Sequence, residues 1–269
     1  MFIAIFIGII IGGVLGLTGA GGSIFAVPLL MLLLGLSAPN AMGIALGAVA
    51  VSAAIGTIAQ RKQVFWVPAL TLSAGGMLTA PLGKMLAVNI DETLLIYGFA
   101  AIAIAIGIKM LRSAFNTPEQ SSYVRGGTSL AGDSSPMLCR LSPTGQFQLR
   151  ARCISGLAIG GAAIGFASGL FGVGGGFLIV PLLLFLSQTA MPRAVATSLA
   201  AITMISSVGF GSHYVISGIN NPKQLLTVLL AAIVGMLLSQ QMAKHVAGPN
   251  LQKLFALLLI MVALLMLIP

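Results

Sequence analysis

The chain has 269 residues, 58% hydrophobic and 6% charged, with a net charge of +9 and a mean hydropathy of +1.10. A water-soluble domain carries about 25% charged residues, so four acidic and thirteen basic side chains cannot clothe a soluble globule, nor build a carboxylate-based acid–base enzyme. The surplus apolar surface must face lipid, and the basic excess reads as the Lys and Arg of cytoplasmic loops, not as a nucleic-acid surface.

Hydrophobic stretches run at about 2–36, 41–60, 64–88 and 93–111. After a polar segment at 112–152 they resume at 153–186, 194–218, 225–243 and 251–268. The start, Met1-Phe2-Ile3, has no positively charged leader, so the first stretch is expected to be a retained membrane segment and not a cleaved signal. About 20 apolar residues cross the hydrocarbon core, so the first stretch of each half is too long for one span. Glycines break both: Thr18-Gly19-Ala20-Gly21-Gly22-Ser23 in the first, Gly172-Val173-Gly174-Gly175-Gly176 in the second. Gly8, upstream of the first break, reads as lipid-facing, and Pro28 and Pro181 as tolerated kinks. Phe65-Trp66, after the basic turn Arg61-Lys62, reads as an interfacial anchor.

The polar segment 112–152 is rich in Ser, Gly, Pro and Arg and reads as a mobile cytoplasmic linker between a first membrane repeat, 1–111, and a second, 153–269. Cys139 and Cys153, fourteen residues apart, make neither a disulfide framework nor a zinc site, and two reduced thiols are expected. No metal and no cofactor are expected.

The two breaks anchor an internal repeat. Gly16 to Leu30, GLTGAGGSIFAVPLL, aligns without gaps on Gly169 to Leu183, GLFGVGGGFLIVPLL, at an offset of 153. The offset carries Pro39 onto Pro192, Leu46 onto Leu199 and Gly56 onto Gly209. It resumes at 159, with Gly76-Met77-Leu78 on Gly235-Met236-Leu237. Counting both short segments of each broken stretch gives five segments per half, and an odd number inverts the second half relative to the first. With the linker in the cytoplasm, eleven Lys and Arg lie inside and two, Lys84 and Lys223, outside. Four segments per half would give nine to four, so the charge pattern favours two inverted repeats, about 8–10 membrane segments and both termini outside.

Backbone N–H and C=O groups freed by a glycine break cannot face lipid. A helix restarting after such a break points unpaired N–H groups and its positive dipole end at whatever sits there. Gly21, Gly22 and Ser23, with Gly174, Gly175 and Gly176, are therefore expected to bind one small anion between two opposed helix N-termini. Thr18, Ser206 and Ser207 are candidate hydroxyl ligands, and His213 a candidate proton or ligand site. Most of the other intramembrane Ser and Thr should bond their own helix. No Asp or Glu lies in any stretch, so a carboxylate relay for a coupling proton is not expected.

The doubled GxGG…VPLL block, followed by an Ala-rich segment and a basic turn, resembles the sulfite exporter TauE/SafE family, over both halves. Ser23 stands where the second block has Gly176, and the 41-residue linker is long for that family. The resemblance implies an inner-membrane transporter, not an enzyme, exporting a small sulfur-containing anion such as sulfite or an organosulfonate. Two rivals differ in kind: a passive anion channel, and a hydrolase using Ser168 with His213. The latter lacks both the GxSxG spacing and an orienting carboxylate.

Overall fold

The computed structural model describes residues 2–18, 22–116, 140–141, 147–148, 151–172, 176–186, 191–218 and 221–246, and four further positions beyond. Among them nine helices are named: α1 (Phe2–Thr18), α2 (Gly22–Leu34), α3 (Ala38–Ala59), α4 (Trp66–Val88), α5 (Glu92–Asn116), α6 (Ala151–Phe171), α7 (Gly176–Leu186), α8 (Met191–Ser217) and α9 (Pro222–Val246). A short antiparallel ladder, β1 (Arg140–Leu141) on β2 (Phe147–Gln148), pairs Arg140 with Gln148. Four helical segments are long and apolar enough to cross a membrane: Ala38–Ala59, Cys153–Phe171, Arg193–Ser217 and Pro222–Gln241.

The helices start and stop where local chemistry dictates. Pro39 occupies the first turn of α3, where its missing N–H would have no helical partner. Gly35, Gly172 and Gly218 follow α2, α6 and α8 with φ of 61, 68 and 71°. Each is the left-handed residue that ends a helix at least cost when it lacks a Cβ.

Helices α3 and α8 form the centre, and the core runs through them. They pack antiparallel: Gly43 meets His213, Gly47 meets Phe210 and Gly56 meets Leu199. Two parallel pairs flank them. Gly8, Gly12 and Gly16 of α1 face Ala231, Ala232 and Ser239 of α9. Gly161, Gly165 and Gly169 of α6 face Leu72, Gly76 and Ala80 of α4. Glycine at every fourth position removes the side chains along one stripe and lets two backbones meet. A Cβ at Gly12, Gly161 or Gly169 would collide with a carbonyl oxygen of the partner helix.

Three expectations change. Gly8 is not lipid-facing: a Cβ there would lie 2.6 Å from the Val228 carbonyl oxygen of α9. Cys153, buried in the first turn of α6, is disulfide-bonded and not a free thiol. Finally, α5 runs on to Asn116, so helix takes the first residues assigned to the linker, while 117–139 lies outside the described residues. The anchor pair divides: Trp66 is exposed, whereas the Phe65 ring lies 5.3 Å from the Arg193 guanidinium.

Candidate functional site

Of the anticipated glycine ligands, Gly21, Gly174 and Gly175 lie outside the described residues. Thr18 ends α1, Gly22 and Ser23 open α2, and Gly176 opens α7 in a buried position. The residues flanking the two breaks are not neighbours. Gly172, ahead of the second break, packs on Met42 near the start of α3. Gly16, ahead of the first, meets Met236 and Ser239, and Met236 in turn meets Gly56 near the end of α3. From Met42 to Gly56 is fourteen residues, or about 21 Å at the helical rise. Phe171 supports this placing, since it shares a small pocket with Ala38 and Met42. The described residues ahead of the two breaks, Gly16 and Gly172, therefore lie near opposite ends of the central helix.

The hydroxyls of the central helices are mostly spent on their own backbone, as expected. Ser52 donates to the Ala48 carbonyl (2.6 Å), Thr57 to Ala53 (2.8 Å), Thr203 to Leu199 (2.8 Å) and Ser212 to Gly209 (2.9 Å). Ser206 and Ser207 face different ways. Ser206 is fully buried, while Ser207 is exposed and donates to the Thr203 carbonyl at 2.6 Å. Thr197 ties the turn before α4 to α8, because its hydroxyl accepts the Phe65 N–H (3.0 Å) and donates to the Arg193 carbonyl (2.7 Å).

Unsatisfied polar atoms lie at both ends of the bundle: Gln240 Nε2 near Gly56 at one, and His213 and Ser168 at the end beside the second break. His213 is buried, its ring packed on Gly43, and its Nδ1 has no hydrogen-bond partner. Ser168, one turn before Gly172, is fully buried with an unpartnered Oγ. Lys84, which the charge count assigned to the outer surface, is buried to 3% exposure. A small pocket opens here between Asn40, Gly43, Phe210, His213, Gly218 and Asn221. Sequence reading missed Lys84 because it was counted as a topology marker. The available signal was its position inside the 64–88 apolar stretch, where a charge calls for a local purpose. No group of three potential metal ligands occurs among the described residues.

Comparison with known proteins adds a family. Residues 4–266 match the family model described as "Sulfite exporter TauE/SafE". Two relatives from Xylella fastidiosa, strains Temecula1 and 9a5c, are each 29% identical over 263 residues, covering 95% of this chain and 90% of their own length. Both carry the name "Probable membrane transporter protein". No solved structure matches the chain.

Proposed function

The chain belongs to the sulfite exporter TauE/SafE family and is a membrane transporter, not an enzyme, and from that premise we propose that it exports a small sulfur-containing oxyanion, sulfite or an organosulfonate, by alternating access. Its two halves would be inverted repeats. The antiparallel course of α3 and α8, which correspond under the 153-residue offset, supports this. So does the exchange of partners: the first helix of each half packs on the fourth helix of the other.

The observation that supports the mechanism is the separation of Gly16 and Gly172, the described residues ahead of the two breaks, towards opposite ends of α3. Each break would offer freed backbone amides, from residues 21–23 at one end and 174–176 at the other, to an anion arriving from that side. Rocking of the halves across the α3–α8 seam would open one end and close the other. A pathway whose stretches hold no Asp or Glu suits a negatively charged passenger. The protein would sit in the bacterial inner membrane with the 112–152 linker in the cytoplasm and both termini outside.

Purified protein in liposomes tests the reading. Sulfite or sulfoacetate flux should saturate with concentration, and the same anions should raise the melting temperature more than simple carboxylates do. Large single-channel currents would instead establish a passive channel. Absence of any anion-dependent flux or stabilisation would overturn anion transport altogether.

A further inference from the structure

Three packing registers converge on one level of the bundle. Along α4 and α8, Phe65 N–H bonds Thr197, Ser73 bonds Met204 and Gly76 meets Ile205, so the helices run parallel at separations of 132, 131 and, at Gly76, 129 residues. Carried eight residues further, that register sets Lys84 beside His213. Along α4 and α6, Leu72 meets Gly161, Gly76 meets Gly165 and Ala80 meets Gly169, a constant separation of 89. Those contacts bring Lys84 against Gly169 near the end of α6, one turn ahead of Gly172. A Cβ on Gly169 would in fact lie 3.0 Å from the Lys84 backbone nitrogen. Lys84 and His213 are also close enough to feel each other electrostatically.

Neither side chain has a counterpart to explain its burial. Lys84 is 3% and His213 4% exposed. Among the described residues no carboxylate pairs with Lys84, and Asp91, seven residues on, is exposed. Burying an unpaired ammonium is costly, and a membrane helix that keeps one does so for a partner that comes and goes.

We propose that the Lys84 ammonium and the neutral His213 imidazole form the polar wall of an anion site at the Gly172 end of the bundle, entered through the pocket between Asn40, Gly43 and Asn221. The inference rests on the anion-transport reading and deepens it by supplying a side-chain cation where that reading used backbone amides alone. A lone ammonium beside an imidazole fits a compact oxyanion of low charge: its negative oxygens take hydrogen bonds from Lys84 Nζ, and His213 contributes a second nitrogen. A multiply charged or bulky anion would leave charge unmatched in so small a space.

The full-length protein in nanodiscs provides the test, with sulfite as the probe and acetate and sulfate as comparisons. Losing a hydrogen bond to a charged group weakens binding by about 10- to 100-fold. Lys84→Met should therefore raise the sulfite Kd at least tenfold and His213→Gln several-fold, while Lys223→Met, at an exposed position, leaves it unchanged. Because Met keeps the apolar stem and removes an uncompensated charge, ligand-free Lys84→Met should melt at or above the wild-type temperature. If Lys84 instead serves only the fold, the variant melts lower or fails to fold, and any folded fraction binds sulfite normally. Either of those results overturns the proposal. If wild type transports sulfite and Lys84→Met transports it equally, this site falls while the transport reading stands. If wild type neither binds nor moves any of the anions, the reading beneath it falls as well.

Discussion

At the residue scale, adjacent glycines on α1 play opposite parts. A Cβ on Gly12 would collide with the Ala232 carbonyl, whereas one on Gly13 finds nothing within 4 Å. Gly13→Ala should stabilise the protein by up to about 1 kcal/mol through helix propensity, and Gly12→Ala should destabilise it by about 1–3 kcal/mol through overpacking. Thermal melts of both variants in one detergent check the contrast. A second expectation concerns Asp91 and Glu92, at the turn before α5. If no carboxylate relays a proton, the double variant Asp91→Asn, Glu92→Gln keeps the wild-type flux and pH dependence. Loss of pH-dependent flux at normal expression would refute that. These residue roles were only partly legible. A helix apolar all round does not announce which face packs, so Gly8 read as lipid-facing, although the four-residue spacing of Gly8, Gly12 and Gly16 was there to be seen. Lys84 was legible as a charge but not as a buried one, because burial is decided by α6 and α8 and not by its own neighbours.

Individual elements show the same division between local and distant causes. The glycine that ends α6 and the one that ends α8 share a left-handed backbone, but Gly172 also touches Met42 while Gly218 meets open space. An alanine at Gly218 should cost about 1–2 kcal/mol, the left-handed penalty alone. At Gly172 the collision with Met42 adds to it, and the larger drop in melting temperature measures the packing component. Equal drops would mean that Met42 moves aside freely. The break in each long stretch could be read because glycine clusters and excess length are local signals. That Gly16 and Gly172, ahead of the two breaks, lie near opposite ends of α3 could not. The repeat aligns the motifs but says nothing of which helix lies between them.

For the whole molecule, the charge count and the disulfide point in different directions. Eleven basic residues against two favour a cytoplasmic linker, whereas disulfides such as that of Cys153 persist in oxidising compartments. The count carries more weight, since it draws on every loop while the disulfide reports one local approach. Cysteines introduced at Asn40 should then be labelled only from outside and those at His245 only from the cytoplasm. Labelling of both from one side would refute the inverted arrangement.

The pairing of α1 with α9 also sets a timetable. Gly8 is synthesised 223 residues before Ala231, against which it packs. At about 5–20 residues per second, the glycine stripe of α1 waits roughly 10–45 s in the bilayer with its backbone uncovered. A first half expressed alone, ending within the linker, should be degraded or held by quality control. Co-expression of the second half as a separate chain should restore both, and pulse-chase labelling would show the first half gaining protease resistance only after its partner appears.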